Sequence, residues 1–216
     1  MKHLILTTSD QVPVTGSHFQ SPLPSPGISL FHMMPATRES YGQFAQTLNQ
    51  AGMGVLAIDF RGHGQSQGGP NNYQKFTDKE HQSSINDVKA AVNFQDKEGH
   101  SPLFVGGASI GANLALQIIA EDKRVRKAIL LSPGLNYRGI ETVPLAKKVA
   151  KDKEVYVIAA KDDGRSLGSA DKQALEIFNA LKCRKKILIF ETGGHGTDML
   201  NAHPEFMKKL VEWLKD

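Results

Sequence analysis

The 216-residue sequence contains a single cysteine and lacks any long uninterrupted run of apolar side chains. Cys183 alone cannot form an internal disulfide, so a disulfide-stabilised fold is excluded and a reducing compartment is favoured. No segment approaches the roughly 18 apolar residues of a membrane span, and residues 1–20 lack the apolar core of a signal peptide. We therefore expect a cytoplasmic protein without a membrane span.

The sequence has only a small excess of positive charge, because its 26 Lys and Arg residues and 22 Asp and Glu residues give a formal net charge of +4. The basic clusters at 147–153 and 184–186 contain no interleaved aromatic side chains on which nucleic-acid bases would stack. Such clusters usually form solvated helix faces and strand ends. Nucleic acid is therefore not an expected partner.

The pattern of apolar residues predicts strands that alternate with helices. The length suits one domain spanning residues 1–216. A capping box, Thr77 with Glu80, opens a helical pattern that buries Ile85, Val88 and Val92. This alternation predicts an α/β fold with a mainly parallel central sheet and helices on both faces, and residues 1–20 are expected to add an antiparallel pair at one edge. The predicted strands are 28–33, 54–60, 102–106, 127–131, 155–160 and 186–190, and the predicted helices are 40–52, 77–95, 110–121, 170–182 and 204–215.

A lone serine stands in a glycine-rich turn after the predicted strand that ends in "PLFVG". Residues 107–111, "GASIG", match the G-x-S-x-G pattern, and a helical run follows them. Glycine at 107 and 111 removes Cβ atoms that would clash in a tight strand-to-helix turn. The pattern favours Ser109 as a nucleophile, although a serine that merely caps the helix fits the same residues.

Histidine and aspartate follow Ser109 in the chain order of a catalytic triad. His195 lies in "TGGHG" after a predicted strand, and Asp162 and Asp163 directly follow another. A serine hydroxyl needs a base to accept its proton, and that base needs an acid to orient it. The three features together predict a triad of Ser109, His195 and one of the two aspartates.

These segments, with "FHMMPAT" and "GVLAIDFRGHGQS", resemble the α/β-hydrolase superfamily from about Ile28 onward. The resemblance implies an α/β-hydrolase fold with no sizeable cap domain. Because only about twenty residues separate the predicted strand 127–131 from the predicted strand 155–160 that precedes the acidic pair, the chain looks most like small esterases, lysophospholipases and dienelactone hydrolases without a lid. In the family the triad acid is the last residue of a G-x-x-D motif. Placing the first position of that motif at Ala160 gives Asp163 as the acid, and placing it at Ala159 gives Asp162; the first placement is favoured.

The resemblance also implies an oxyanion hole made of the backbone N–H groups of Met34 and Ile110. Met33 departs from the family pattern, which commonly has glycine at that position, so this side chain could narrow the loop. Asp59 and His63 are the weaker alternative for acid and base, because both precede the serine.

The predicted function is hydrolysis of small or medium carboxylic esters through an acyl-enzyme. The same residues would serve a thioesterase or amidase, and a non-catalytic binding protein on this fold is a further alternative. No metal ligand set, P-loop or cofactor motif is present in the sequence, so the expected partner is a small-molecule ester and no cofactor is expected. Met33, Met34, Leu135 and Tyr137 either border the substrate cleft or belong to the core.

Overall fold

The computed structural model describes residues 1–166 and 169–216. Within these ranges the strands are β1 (Lys2–Thr7), β2 (Pro13–Phe19), β3 (Gly27–Phe31), β4 (Gly54–Ile58), β5 (Leu103–Ala108), β6 (Val125–Leu131), β7 (Asn136–Tyr137), β8 (Ile140–Glu141), β9 (Glu154–Ala160) and β10 (Arg184–Phe190). The α-helices are α1 (Gly42–Gln50), α2 (Asp78–Gln82), α3 (Ile85–Lys97), α4 (Ile110–Glu121), α5 (Thr142–Lys148), α6 (Ala170–Ala180), α7 (Asp198–Ala202) and α8 (Pro204–Lys215).

Eight of these strands form one sheet in the order β1-β2-β4-β3-β5-β6-β9-β10. The pairs from β4 to β10 are parallel, whereas β1 pairs antiparallel with β2 and β2 pairs antiparallel with β4. Strands β3, β4 and β5 are buried along their whole length, as expected for parallel strands covered on both faces. The predicted fold class and the antiparallel pair at one edge are confirmed.

Helices cover both faces of the sheet. Apolar side chains of α3, α4, α5 and α6 pack on one face, and those of α1, α7 and α8 pack on the other. Alternate residues of a strand point to opposite faces, so Val105 of β5 joins the first core and Phe104 joins the second. This double covering buries the sheet and leaves its two ends for loops.

The register of the parallel strands brings five strand ends to one edge of the sheet. Phe31 is the partner of Gly107, and Ala108 is the partner of Leu131. Leu131 is in turn the partner of Ile158, and Ala160 is the partner of Phe190. The loops after β3, β5, β6, β9 and β10 therefore start side by side, where ligands bind in open α/β sheets.

The predicted helix at 77–95 is two helices. The capping box of Thr77 and Glu80 is present at the start of α2. The helix is interrupted after Gln82, where the Ser83 hydroxyl donates to the Lys79 carbonyl at 3.0 Å. Serine side chains that bond to the backbone in this way compete with the helical pattern, which explains why apolar periodicity alone did not predict the interruption.

The segment between β6 and β9 is short. It contains a two-stranded hairpin, β7 with β8, followed by α5, which packs in the core between α4 and α6. The described residues therefore form no sizeable cap over the strand ends.

One basic cluster is not wholly solvated. Lys153 is buried, and its Nζ donates to the carbonyls of Ile119 and Asp122 at 2.6 and 2.7 Å. The expectation of a solvated side chain is therefore wrong for Lys153, because the last carbonyls of α4 need a donor and a cation is favourable there. No helix of the described ranges is both long and apolar enough to cross a bilayer.

Candidate active site

Ser109 occupies the turn between β5 and α4 with a strained backbone. Its φ is 56° and its ψ is −121°, outside the regions that side-chain-bearing residues usually adopt. Although Ser109 stands at the N-cap position of α4, its side chain makes no capping hydrogen bond. A serine present only to cap the helix would make that bond and would have extended angles, so the geometry does not favour the capping alternative.

Two glycines allow this turn to pack. A Cβ on Gly107 would lie 2.0 Å from the Gly111 carbonyl oxygen, and a Cβ on Gly111 would lie 2.3 Å from the Phe31 carbonyl oxygen. Both contacts are with backbone atoms, which cannot turn aside as a side chain would. The sequence prediction that glycine is required at both positions is confirmed.

The loop after β3 is held by a buried histidine. His32 Nε2 accepts the Phe60 N–H at 3.0 Å, so its proton is on Nδ1, which donates to the Met33 carbonyl at 2.9 Å. Burial lowers the pKa of His32 to about 4, which keeps the imidazole neutral. With the Met33 carbonyl fixed, the Met34 N–H of the same planar peptide unit points in the opposite direction.

Met33 packs beneath the loop that carries His195. A Cβ on Gly196 would lie 2.6 Å from Met33 Sδ, and Thr197 Oγ1 lies 3.9 Å from the same sulfur. Met33 is 5% exposed and belongs to the core on the α1 and α8 face. The Met33 thioether therefore supports the loop that carries His195. A glycine, the family's usual residue at this position, could not make these contacts.

Asp163 and His195 form a buried pair. Asp163 Oδ2 lies 2.7 Å from His195 Nδ1, and the two residues are 0% and 4% exposed. Burial by itself would raise the pKa of Asp163, but the hydrogen bond and charge of His195, together with hydrogen bonds from the Ser132 hydroxyl and the Arg165 N–H, outweigh it and lower that pKa. An ionised Asp163 accepts a hydrogen bond from Nδ1–H, which leaves Nε2 as the acceptor nitrogen of the imidazole.

Asp162 has different partners from those of Asp163. Its carboxylate accepts the Gly193 N–H at 2.9 Å and the Gly194 N–H at 3.0 Å. The Gly194 N–H, followed by the Gly193 N–H, lowers the pKa of Asp162. Asp162 thus holds the glycine loop before His195, and Asp163 holds the imidazole.

The turn of Ser109 lies beside the loop of His195. A Cβ on Gly196 would lie 3.1 Å from Ala108 Cβ, so the residues next to His195 and Ser109 are in close approach. Among the described residues, however, Ser109 Oγ has no hydrogen bond to the imidazole. Such bonds are often long in unliganded enzymes and shorten when substrate binds.

Asp59 and His63 are engaged elsewhere. The Asp59 carboxylate is fully buried, accepts a hydrogen bond from the Arg38 backbone N–H at 2.8 Å, and forms an ion pair with the Arg38 guanidinium. His63 Nδ1 lies 3.0 Å from the Arg61 carbonyl oxygen, and its ring stacks on Tyr73. These contacts fix the loop after β4 and explain why "DFRGHGQS" carries so many polar residues.

Ser132 and Arg165 also reach the site, although neither was predicted from the sequence. Ser132 Oγ accepts the Gly196 N–H at 2.9 Å. The Arg165 backbone N–H donates to Asp163 Oδ1 at 3.0 Å, and its guanidinium donates to the Met34 carbonyl at 2.7 Å. No sequence motif marks either residue, because each contact joins loops that are distant in the chain.

The surface around the strand ends is partly apolar. Met34, Leu135 and Tyr137 are half-buried and pack against the core on the α4 face. Among the described residues, no group of three or more His, Cys, Asp or Glu side chains is arranged to hold a metal ion.

Comparison with known proteins identifies the family. The model of the family described as serine aminopeptidase, S33, matches residues 24–197. Comparison with curated proteins gives no match.

Solved structures share the fold over the whole chain. An esterase of Pyrococcus furiosus is similar with a TM-score of 0.80 at 19% identity, over 99% of this chain and 89% of that one. A dienelactone hydrolase from Anabaena variabilis gives 0.80 at 16% identity, over 99% and 96%. An esterase from Exiguobacterium antarcticum gives 0.79 at 13% identity, over the full length of both chains. The chain therefore belongs to the serine aminopeptidase S33 family and is a hydrolase-family protein of the α/β-hydrolase fold.

Proposed function

We propose that the protein is a serine hydrolase that cleaves carboxylic esters through an acyl-enzyme. The observation that carries the proposal is the buried Asp163–His195 pair, 2.7 Å between Oδ2 and Nδ1, beside a serine turn with φ 56°. An oriented imidazole next to a strained, glycine-packed serine is the arrangement that activates a hydroxyl for attack.

In the proposed mechanism His195 Nε2 takes the proton of Ser109 Oγ as that oxygen bonds to the substrate carbonyl carbon. Asp163 stabilises the imidazolium that forms. Collapse of the tetrahedral intermediate breaks the ester C–O bond, and His195 returns the proton to the leaving alkoxide. Water, deprotonated by the same imidazole, then attacks the acyl carbon; the bond from that carbon to Ser109 Oγ breaks, the acid is released, and His195 returns the proton to Oγ.

The proposed oxyanion donors are the N–H groups of Ile110 and Met34. Ile110 is the first residue of α4, so its N–H has no acceptor within the helix and lies at the positive end of the helix dipole. The Met34 proposal is supported by the hydrogen bond that turns the Met33 carbonyl toward His32. One such donor is typically worth about 2.7 to 4 kcal/mol of barrier.

A small or medium ester fits the proposed site best. The short segment between β6 and β9 leaves the strand ends uncapped, and Met34, Leu135 and Tyr137 offer a modest apolar surface. The similar structures include esterases, a dienelactone hydrolase and an enol-lactonase, whose names all specify ester or lactone substrates. The family description names an aminopeptidase, so amide cleavage is the second candidate.

The first experiment asks whether Ser109 is the nucleophile. A fluorophosphonate probe should label the wild-type protein at Ser109, and Ser109→Ala should abolish labelling and lower kcat for p-nitrophenyl butyrate by up to about a million-fold. Ser9→Ala alters an exposed serine that is distant from Ser109 in the sequence. This matched control should keep both the fluorophosphonate labelling and the ester hydrolysis.

A panel of substrates separates the candidates. Hydrolysis of the butyrate ester but not of an aminoacyl p-nitroanilide supports the esterase, and the reverse supports the aminopeptidase. A butyryl thioester in the same panel tests the thioesterase alternative. A folded wild-type protein that is neither labelled nor active would contradict the proposal and favour a binding protein.

A further inference from the structure

Ser132 combines features that a loop residue rarely has together. It directly follows β6, is fully buried, and has a φ of 49°, in the left-handed region that favours glycine. Its backbone N–H donates to the Ile158 carbonyl at 2.8 Å, which ties the turn to the end of β9. A serine held in this conformation needs surrounding contacts that compensate for the backbone strain.

The side chain of Ser132 lies between the two loops that carry the Asp163–His195 pair. Its Oγ accepts the Gly196 N–H at 2.9 Å, which fixes the peptide unit directly after His195. The Ser132 hydroxyl also acts with His195 to lower the pKa of Asp163 against the effect of burial. A hydroxyl that accepts from one loop has its own proton available for the carboxylate on the other.

We propose that Ser132 is a positioning residue of the hydrolytic site, which holds the Asp163 carboxylate and the His195 loop in one fixed relation. The inference rests on the proposed function, since it assigns Ser132 to the same triad. Ser132 does not contact the reacting atoms and acts only through Asp163 and Gly196. Its removal should reduce the fraction of molecules with a correctly oriented imidazole, so kcat should fall while KM stays nearly constant.

The variants Ser132→Gly and Ser132→Ala separate this role from a role in the turn. Both remove the hydroxyl, but glycine relaxes the left-handed backbone and alanine keeps it strained. A positioning role predicts that both lower kcat for p-nitrophenyl butyrate by about 10- to 100-fold, as expected for leaving buried polar groups unpaired. Ser29→Ala is the control, because Ser29 is a buried serine of β3, which β5 separates from β6, and its Oγ has no hydrogen-bond partner among the described residues; this variant should keep full kcat.

A double-mutant cycle tests whether Ser132 acts through the acid. In an Asp163→Asn background, Ser132→Gly should lower kcat by less than about threefold, because the carboxylate it positions is already gone. Equal losses in the two backgrounds, full activity of Ser132→Gly, or a Ser132→Gly protein that does not fold would each overturn the proposal in favour of a structural role.

A spectroscopic measurement keeps this test separate from the proposed function. The proton on His195 Nδ1 should give a downfield resonance in wild-type protein that shifts or broadens in Ser132→Gly and is unchanged in Ser29→Ala. If wild-type protein neither hydrolyses the ester nor reacts with the fluorophosphonate, the proposed function fails. The resonance still decides the role of Ser132, since an unchanged signal in Ser132→Gly would overturn it.

Discussion

At the scale of single residues, Asp162 and Asp163 differ in what their carboxylates can reach. Asp163 points into the core, where His195 and the Arg165 N–H surround it. Asp162 is exposed and points along the surface to the Gly193 and Gly194 N–H groups. One carboxylate therefore orients the imidazole, and the other holds the loop that precedes it.

Separate asparagine variants should distinguish these two roles. Asp163→Asn keeps the shape but removes the charge that stabilises the imidazolium, so kcat should fall by about 10⁴-fold. Asp162→Asn retains one acceptor oxygen for the glycine loop, and its kcat should fall by about tenfold or less. Steady-state kinetics with p-nitrophenyl butyrate check both values. A larger loss in Asp162→Asn than in Asp163→Asn would assign the acid to Asp162.

At the scale of elements, the junction of β5 with α4 depends on close backbone contact. Gly107 lies against the first turn of α4, and Gly111 lies against the end of β3. The helix can therefore start directly above the sheet, with Ser109 at its N-terminal end. A side chain at either glycine would push the helix away from the strand and move the Ser109 hydroxyl with it.

Alanine variants of these glycines should lose stability and activity together. Gly107→Ala and Gly111→Ala force a backbone shift, so each should lower the free energy of unfolding by about 3 kcal/mol or more. Gly42→Ala is the matched control, because Gly42 is helical at φ −48° and a Cβ there meets nothing within 4 Å. That variant should be more stable by about 0.5 to 1 kcal/mol. Urea denaturation measures all three, and a neutral Gly107→Ala would refute the packing argument.

Elements were more predictable from the sequence than contacts between them. The runs at 127–131 and 155–160 lie within β6 and β9, because buried parallel strands are continuously apolar. Helix α7 and the β7–β8 hairpin were not predicted, since both are too short to show a period. The contact of Ser132 with Gly196 had no signal at all, because it exists only after the ends of β6 and β10 come to the same edge.

At the scale of the whole molecule, buried histidines set the response to acid. Burial lowers the pKa of His18, His32, His63 and His81 from the ordinary value of 6.5, to about 4 for His32 and about 3 for His63. The unfolded chain has no such burial and takes up these protons near pH 6.5. Burial raises the pKa of Asp87 to about 6, so the folded state binds this proton at a higher pH than the unfolded chain does, and stability rises as the pH falls. This effect offsets at most one of the histidine protons. The histidines therefore dominate between pH 6.5 and 4.

Stability should consequently be complete above about pH 6.5 and should fall steeply as the pH drops toward 4. Each histidine that is neutral in the folded state and charged in the unfolded state contributes a slope of about 1.4 kcal/mol per pH unit. Urea denaturation at pH 7, 6 and 5 should show the decline before the carboxylates with lowered pKa values, such as Asp163, begin to titrate. His63→Gln should reduce this slope by about 1.4 kcal/mol per pH unit, the contribution of one proton. A free energy of unfolding that stays constant from pH 7 to 5 would mean that these imidazoles become protonated in the folded protein, and the loop after β3 held by His32 would then have to rearrange.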